Sequence, residues 1–397
     1  MNMQDKPPAV VLGLSPTGLA VARSLGRKGV PVIGFSRNGS AIGSRSKYVQ
    51  ETLVAEGADW EESLIGQLFE LGSRLDERPV LFCAEDVYIA ALADHAEDLR
   101  SAYRMPASLN RDMIELFLDK ERFYKMCMEK SVTIPQTYFP DTVGDVVEAS
   151  KVLSYPCIVK PSFSHLWRRR LKGRKMIEAH SSSELIETYK QFSSWGARVM
   201  VQEIVPGGDD RIYLGGVCIG NDDHPLALFT GRKLRQFPPM FGSASLAESV
   251  DVPEIAQMSA DLLQNLKFRG ICGTEYKLDP RDGQFKMMEI NLRPVLWFSL
   301  VEACGVDVIY ATYADLAGLP VPKFSQQDGV RWIYSARDLI TSGHYLLHGG
   351  LTLSNYLSTL RSIKACAVYA PDDFRIMLSA PKHLLKELKE YYFGGRE

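Results

Sequence analysis

The stretch GTEYKLDPRDGQFKMMEINLR, residues 273–293, contains two alternating apolar and polar segments separated by a turn-forming Asp-Gly pair. This arrangement predicts a β-hairpin. With the turn at Asp282, Glu275 on the first strand lies opposite Glu289 on the second, and Asn291 follows on the same face. Two carboxylates directly opposite each other destabilise a bare sheet, so the pattern indicates either a solvated face or a bound cation.

Carboxylate and amide oxygens are the ligands that Mg²⁺ prefers in proteins, and this ion commonly shares its coordination shell with substrate phosphates. Arg293 follows Asn291 by two residues, so the same face also presents a guanidinium that can hold two oxygens of a carboxylate or phosphate. A solvated sheet face with lysine neighbours explains the spacing equally well. The hairpin alone therefore predicts a metal and anion site without excluding a plain surface.

The composition limits the classes of protein to consider. At 397 residues, the chain is long enough for two or three domains. The net charge of −2 gives no overall field to attract nucleic acid, and no run of about 18 apolar residues predicts a transmembrane helix. The N-terminal segment lacks the apolar core of a secretory signal. The seven cysteines form no CxxC pair and lie mostly in apolar runs, which predicts buried thiols in a reducing cytoplasm.

The first hundred residues predict a small doubly wound sheet. An apolar strand at Ala9–Leu14, a helix at Thr17–Lys28 and a second strand at Pro31–Phe35 together form a βαβ unit. A further buried strand in the segment RPVLFCAED ends at Glu85 and Asp86. Alternating strands and helices of this kind predict an α/β domain with a parallel sheet.

Two glycines in the first turn, Gly13 and Gly18, raise the question of dinucleotide binding. The GxGxxG spacing is absent, so NAD binding is not expected. Ligands of such sheets bind outside the carboxyl ends of the strands. A pocket at that edge would be lined by residues that serve equally well as turn and cap residues: Ser15, Thr17, Glu85 and Asp86.

The middle of the chain predicts one helical segment and then paired strands. Ser108–Lys130 has a helical pattern, and the apolar strand in YPCIVKPS ends at Lys160. Another strand in ARVMVQEIV stops at a Pro-Gly-Gly break, and a further hairpin turns at Asn221–His224. After Pro320 the signals weaken to a loosely apolar segment that ends in a charged helix.

Six segments, in this order, resemble the motifs of the ATP-grasp superfamily, and most closely its carboxylate–amine ligase branch. They span roughly residues 9 to 320 and are VVLGLSPTGLAVARSLGRKGVPVIG, LDKERFYK, YPCIVKPS, VQEIVPGGD, TGRKLRQFPPMFGSASLAES and EYKLDPRDGQFKMMEINLRP. The resemblance implies an α/β fold in which a Rossmann-like N-terminal domain is followed by a two-lobed ATP-grasp domain that clamps ATP between its sheets. The implied domains are residues 1–107, residues 108–322 and a C-terminal extension, residues 323–397, packed on the ATP-grasp domain. Within the second domain, a nucleotide lobe covers about 120–205 and a metal and substrate lobe covers about 206–322.

The resemblance also implies a nucleotide site. Lys120 and Lys160 would contact the ATP phosphates, a task that suits a compact charge on a long side chain, although either one alone is also explained as a surface lysine. The residues implied for the base and the ribose are Gln202 through its side chain, Glu203 and Val205 through their backbones, and Asp209 through its carboxylate. Asp209 follows two glycines, so a plain turn residue is the alternative for that position.

The resemblance implies a metal and reaction site as well. The implied ligands of one or two Mg²⁺, with Mn²⁺ as an alternative, are Glu275, Glu289 and Asn291. Arg293 would grip the acceptor carboxylate or the transferred phosphoryl group. In GRKLRQ, strand alternation places Lys233 and Arg235 on one face, where they would contact phosphate or a substrate anion. A solvated, charged strand is the alternative for these two residues.

Two features depart from the family pattern. The loop expected over the triphosphate normally relies on small residues, whereas six of the nine residues from Trp167 to Lys175 are basic. We expect this loop to be mobile without nucleotide and ordered with it, because clustered positive charges repel one another until phosphates arrive. Many relatives place proline before the arginine of the last motif, whereas Leu292 stands there and Pro294 follows Arg293.

The implied activity is ATP-dependent formation of an amide or peptide bond from a carboxylate and an amine through an acyl phosphate, with release of ADP and phosphate. The implied partners are a small-molecule acid and amine of amino-acid type, without nucleic acid or membrane, in a cytoplasmic protein for which a homodimer stays open. An ATP-grasp kinase with a stable phosphorylated product and a binding protein without turnover are the alternatives. Fold-level analogy does not name the acid or the amine.

Overall fold

The structure of the protein is a computed structural model that describes residues 6–162, 170–171, 176–377 and 385. Within these residues the chain forms two compact units. The larger unit contains the residues up to Ile114, Gly208–Glu275 and the residues from Ile290 onward, and the smaller unit contains Glu115–Gly207 and Tyr276–Glu289. The three-part domain boundaries expected from the sequence stay a prediction.

The strands and helices follow one another along the whole described chain. The strands are β1 Ala9–Leu12, β2 Val32–Ser36, β3 Val49–Val54, β4 Val80–Cys83, β5 Thr137–Tyr138, β6 Cys157–Pro161, β7 Ile177–Ala179, β8 Val199–Glu203, β9 Ile212–Ile219, β10 Pro225–Phe237, β11 Ser243–Ser249, β12 Gly270–Leu278, β13 Phe285–Asn291, β14 Arg331–Ile333 and β15 Ile363–Cys366. The helices are α1 Pro16–Arg27, α2 Trp60–Arg74, α3 Asp86–Leu92, α4 Ala96–Leu99, α5 Arg111–Leu118, α6 Lys120–Glu129, α7 Val143–Val152, α8 Ser182–Ser194, α9 Pro253–Asn265, α10 Phe298–Ala303, α11 Val308–Ala317, α12 Ser335–Leu347, α13 Leu353–Thr359 and α14 Phe374–Met377.

The N-terminal sheet of the larger unit has the order β3-β2-β1-β4, and the three strand pairs are parallel. All four residues of β1 are buried, as expected for a parallel strand that is covered on both faces. Gly18 is the residue that lets α1 approach the end of β1 closely, because a Cβ there would lie 1.8 Å from the Gly13 carbonyl oxygen. The predicted βαβ unit is therefore confirmed, with boundaries shifted by one or two residues.

The second sheet of the protein has the order β13-β12-β9-β10-β11-β14-β15. Strand β10 pairs antiparallel with both β9 and β11, and β11 pairs antiparallel with β14. Strand β14 pairs parallel with β15. Both predicted hairpins are present. In the first, the Gly220 N–H donates to the His224 carbonyl and Asp223 has a φ of 67°; in the second, Gly283 has a φ of 72°.

The smaller unit contains an antiparallel sheet of order β5-β8-β6-β7. The apolar strands predicted in YPCIVKPS and ARVMVQEIV are β6 and β8. The helical pattern predicted over Ser108–Lys130 is confirmed, and it is divided into two helices, α5 and α6. Asp119 lies between them and caps α6, since its carboxylate accepts hydrogen bonds from the backbone N–H groups of Glu121 and Arg122.

The segment after Pro320 is more ordered than its weak sequence signals suggest. Ile333 of β14 pairs with Leu246 of β11, so this segment adds strands to the second sheet. Farther on, the buried Asp373 carboxylate binds the Arg23 guanidinium of α1 at 2.9 Å. The charged helix predicted at the end of the chain falls, except for Leu385, outside the described residues.

Two further expectations concern the chain as a whole. All seven cysteines are free thiols, and every one except Cys366 is buried. Burial raises the pKa of Cys83, Cys127 and Cys218 to about 12, so these thiols stay protonated at neutral pH. No helix in the described part of the chain is long and apolar enough to cross a membrane.

Candidate active site

In the smaller unit, two of the implied nucleotide residues lie on neighbouring strands. Lys160 is on β6 and Gln202 on β8, and the Lys160 Nζ lies 3.4 Å from the Gln202 Oε1. The Gln202 side chain is fully buried, and its Nε2 donates to the Thr137 Oγ1 at 2.8 Å. The amide therefore has a fixed orientation, with its oxygen toward the lysine. Lys120 is the first residue of α6 and is partly exposed.

The side chain of Glu203 has a role that the sequence did not predict. Its carboxylate is buried and accepts hydrogen bonds from the Gln136 N–H at 2.9 Å, the Arg281 Nη2 at 2.6 Å and the Lys286 Nζ at 3.1 Å. Burial alone would raise the pKa of Glu203, but these three donors lower it overall. The side chain thus fixes the end of β8, next to buried Val205. The role implied for the Glu203 backbone stays a prediction.

Asp279 completes this ionic cluster at the turn between β12 and β13. The fully buried carboxylate binds the Lys286 Nζ at 2.6 Å and the Arg281 Nε at 2.9 Å. The hydrogen bonds from Arg281, followed by those from Lys286, lower the pKa of Asp279 against the effect of burial. A lowered pKa means that the folded state favours the ionised carboxylate.

The cluster leads to a prediction about acid stability. Because the pKa of Asp279 is lowered, its contribution is present above the unfolded pKa of about 4 and is lost as the pH falls below that value. We expect Asp279→Asn to lower the free energy of unfolding at pH 7 by about 1–3 kcal/mol, and by less at pH 3. Urea unfolding at both pH values measures this difference. Asp282→Asn is the matched control, because that carboxylate is 42% exposed and 3.7 Å from Lys286. An equal loss at both pH values would contradict the prediction.

In the larger unit, Asp209 lies in a short 3₁₀ turn and accepts three hydrogen bonds. The Gln236 Nε2 donates to Oδ1 at 2.7 Å. Oδ2 accepts from the Gln236 N–H at 3.1 Å and from the Tyr345 hydroxyl at 2.7 Å. A carboxylate accepts about four hydrogen bonds, so a ribose hydroxyl can still be accommodated. Both the predicted role and the turn position are therefore compatible with the geometry.

Lys233, predicted to bind an anion, contacts Glu275, predicted to bind a metal. Its ammonium group is buried and lies 2.9 Å from the Glu275 Oε2 and 3.2 Å from the Gly242 carbonyl oxygen. A buried ammonium is stable only where it is paired, and Glu275 provides the counter-charge. The structure thus brings together a predicted anion-binding lysine and a predicted metal ligand.

The expectation that Lys233 and Arg235 share one strand face is wrong. Lys233 pairs with Ala247 of β11 and Arg235 with the adjacent Leu246, so the register shifts between them. Because consecutive residues of β11 point to opposite faces, the two basic side chains also point to opposite faces. The Arg235 Nε and Nη2 bind the two Asp338 oxygens at 2.8 and 2.9 Å, and its Nη1 donates to the Thr359 Oγ1 at 3.1 Å. Three of its five donors are thus engaged by protein groups.

The three predicted metal ligands are divided between the units. Glu275 and Asn291 belong to the larger unit and Glu289 to the smaller unit, so their joint use stays a prediction. All three donors are oxygens, a set that suits Mg²⁺. Among the residues that the structure describes, no group of three or more His, Cys, Asp or Glu side chains is arranged to hold a metal ion. The set predicted here contains only two carboxylates, because its third ligand is the amide of Asn291.

Arg293 binds a carboxylate of the protein itself, and its role toward a substrate acid stays a prediction. Its Nε and Nη2 contact the Asp86 Oδ1 and Oδ2 at 2.5 and 2.9 Å, and its Nη2 also lies 3.1 Å from the Asn291 Oδ1. Asp86 is the first residue of α3, directly after the carboxyl end of β4. The sequence identified this edge as a possible pocket, but it gave no sign that Asp86 pairs with Arg293. The basic loop Trp167–Lys175 lies outside the described residues except for positions 170 and 171.

Comparison with known proteins relates this geometry to a family. No family model matches the chain. The chain is 24% identical to the D-aspartate ligase of Enterococcus faecium over 281 residues, which cover 68% of this chain and 63% of that protein. It is 25% identical to the carbamoyl phosphate synthase large chain of Methanobrevibacter smithii over 195 residues, 46% of this chain and 16% of that protein. The chain thus spans less than two thirds of the length of these relatives.

Solved structures give the fold. The N5-carboxyaminoimidazole synthetase from Staphylococcus aureus complexed with ADP matches with a TM-score of 0.63 and 18% identity, over 82% of this chain and 81% of that chain. The chain has the ATP-grasp fold. Biotin carboxylase from Campylobacter jejuni matches with a TM-score of 0.62 and 12% identity, over 81% of this chain and 74% of that chain. The resemblance to ATP-grasp enzymes that the motifs indicated is confirmed, and so is the predicted fold class.

Proposed function

We propose that the protein is an ATP-dependent carboxylate–amine ligase that forms an amide or peptide bond. The observation that carries the proposal is the Arg293 guanidinium, which binds both oxygens of the Asp86 carboxylate and lies 3.1 Å from the Asn291 Oδ1, so that a substrate acid would take the place of Asp86. A fork of this kind recognises planar carboxylates in two-point fashion. The similarity to a D-aspartate ligase supports a substrate of amino-acid type.

ATP is the proposed phosphoryl donor. Lys120 and Lys160 bind its phosphates in this proposal, and the ADP complex of the similar S. aureus synthetase supports a nucleotide site. Lys233 is the proposed contact to phosphate or a substrate anion. Arg235 lies on the opposite face of β10 and is paired with the buried Asp338, so we assign it to the fold. The groups proposed for the base and the ribose are the Gln202 side chain, the backbones of Glu203 and Val205, and the Asp209 carboxylate.

Mg²⁺ is the proposed metal, with one or two ions and with Mn²⁺ as an alternative. The oxygen donors of Glu275, Glu289 and Asn291 suit it, and a similar carboxylase domain contains MgADP. When bound, the metal neutralises negative charge on the phosphate oxygens. Lys233 adds a fixed positive charge beside Glu275.

The proposed reaction has two steps. A carboxylate oxygen attacks the γ-phosphorus of ATP, the bond to ADP breaks, and an acyl phosphate forms. The amine nitrogen then attacks the acyl carbon, the bond to phosphate breaks, and the amine loses a proton. The protein contributes positioning and charge neutralisation, so Arg293 acts by aligning the acid and the lysines by holding the phosphates.

The proposed substrates are small molecules, an acid and an amine, without nucleic acid. We place the reaction in the cytoplasm, in keeping with seven free cysteines of which six are buried. A homodimer is compatible with this proposal.

The decisive experiment is an acyl-phosphate trap. The protein is incubated with ATP, Mg²⁺ and a panel of amino acids, ADP release is measured, and hydroxylamine is added in place of the amine. We expect a hydroxamate that depends on ATP and on one acid of the panel, and none when ATP is omitted. ADP with a stable phosphorylated product would instead establish a kinase. Nucleotide binding with neither a hydroxamate nor a phosphorylated product would establish a binding protein. The kinase result and the binding result would each contradict the proposed ligase activity.

A further inference from the structure

Three polar side chains on one face of α12 contact the end of β10 and the turn that contains Asp209. They are Asp338, Thr341 and Tyr345, spaced by three and four residues, so they lie in a row along the helix. None of their contacts was visible in the sequence, because the partners lie about a hundred residues away in the chain. All of them belong to the larger unit.

The first contact is a buried ion pair. Asp338 is fully buried, and besides Arg235 it accepts hydrogen bonds from the Ser245 hydroxyl at 3.2 Å and the Ser342 hydroxyl at 3.3 Å. A buried ion pair is weak evidence for stability, since desolvation of the two charges offsets most of their attraction. It does fix one arrangement of the groups that it joins, here the helix and the bulged part of β10.

The second and third contacts converge on Asp209. The Thr341 hydroxyl donates to the Gln236 carbonyl at 3.0 Å, and Gln236 in turn donates twice to the Asp209 carboxylate. The Tyr345 hydroxyl donates directly to the Asp209 Oδ2 at 2.7 Å. Burial, followed by the Asp209 carboxylate, raises the pKa of Tyr345, so the hydroxyl keeps its proton and remains a donor.

We propose that α12 is a positioning helix for the nucleotide site, in which Tyr345 fixes the Asp209 carboxylate for recognition of the ribose hydroxyls. This inference rests on the proposed function, which assigns the ribose to Asp209. Oδ2 accepts from the Gln236 N–H and the Tyr345 hydroxyl, and Oδ1 accepts from the Gln236 Nε2, so one lone pair of Oδ1 is left for a ribose hydroxyl. Without the tyrosine hydroxyl the carboxylate keeps its charge but gains rotational freedom, and ribose selectivity falls.

The test compares nucleotides that differ only in the ribose. Dissociation constants of ADP and 2′,3′-dideoxy-ADP are measured by isothermal titration for the parent protein and for Tyr345→Phe. We expect the parent to prefer ADP by about 10-fold or more, as for a hydrogen bond to a charged group, and the variant to keep a preference of only about twofold. Tyr103→Phe is the matched control, because its buried hydroxyl also makes one hydrogen bond, to the Leu68 carbonyl at 2.7 Å. The ratio of the two dissociation constants in Tyr103→Phe should equal that of the parent protein.

The possible outcomes distinguish a failure of the proposed ligase function from a failure of the role proposed for Tyr345. A parent that binds neither nucleotide overturns the proposed function and this inference together. A parent that binds ADP without preference removes the ribose role from Asp209 and overturns the inference. An unchanged preference in Tyr345→Phe overturns the inference alone and leaves the ligase proposal standing. Thermal unfolding of both variants separates a lost preference from a general loss of stability.

Discussion

Glu289→Gln is expected to reduce Mg²⁺-dependent turnover to background, a loss of about 10³-fold or more, while the fold stays intact. Glutamine preserves the size of the side chain but removes the charge that the proposed metal site needs. Glu289 is exposed near the end of β13, so its replacement does not alter the buried core. Steady-state ADP release at several Mg²⁺ concentrations measures the loss, and circular dichroism checks the fold.

Asp282→Asn provides the control for this first prediction. It removes a carboxylate from the turn of the same hairpin, where the side chain is 42% exposed. We expect turnover within about twofold of the parent, since a surface charge away from the chemistry has a small effect. Near-parental turnover by Glu289→Gln would remove Glu289 from the metal site.

Arg293→Lys is expected to bind ATP about as well as the parent and to lose about 10²-fold in turnover. Lysine keeps the positive charge but cannot contact two oxygens at once, so the acid loses its alignment for attack on phosphorus. In the structure the guanidinium spans both Asp86 oxygens through Nε and Nη2, a two-point contact that a lysine cannot make. Isothermal titration with a non-hydrolysable ATP analogue, beside an ADP-release assay, measures both halves of the prediction.

Arg269→Lys is the matched control for Arg293→Lys. Arg269, directly before β12, also binds both oxygens of an aspartate, Asp223 in the first hairpin turn, at 2.9 and 3.1 Å. We expect turnover within about twofold of the parent, because an exposed ion pair contributes little. If Arg293→Lys weakens nucleotide binding and leaves saturated turnover unchanged, Arg293 belongs to the nucleotide site and not to the acceptor site.

The parts of the fold that local pattern determines were predictable. The βαβ unit around β1 followed from a continuous apolar run, a glycine turn and a helical period, and both hairpins followed from alternation around turn residues. The break between α5 and α6 was missed because Asp119 lies inside a pattern that stays helical on both sides. β14 and β15 contain only three and four residues, too few for periodicity to identify a strand.

The candidate site was predictable as a set of residues but not as a set of contacts. Motif order located Lys160 and Gln202, and strand pairing places them next to each other. The bulge in β10 could not be inferred, because it depends on how β11 pairs, and it places Lys233 and Arg235 on opposite faces. Asp338 carried no signal either, since only tertiary folding brings it to Arg235 across 103 residues.

The ion pair between Arg23 and Asp373 bears on how the chain is synthesised. Its two partners are 350 residues apart, and the unit that contains them is interrupted by the smaller unit. At roughly 5–20 residues per second, a ribosome delivers Asp373 about 20–70 s after Arg23. The N-terminal sheet has all four of its strands early, but Arg23 of α1 lacks its carboxylate partner while the smaller unit emerges and can fold first.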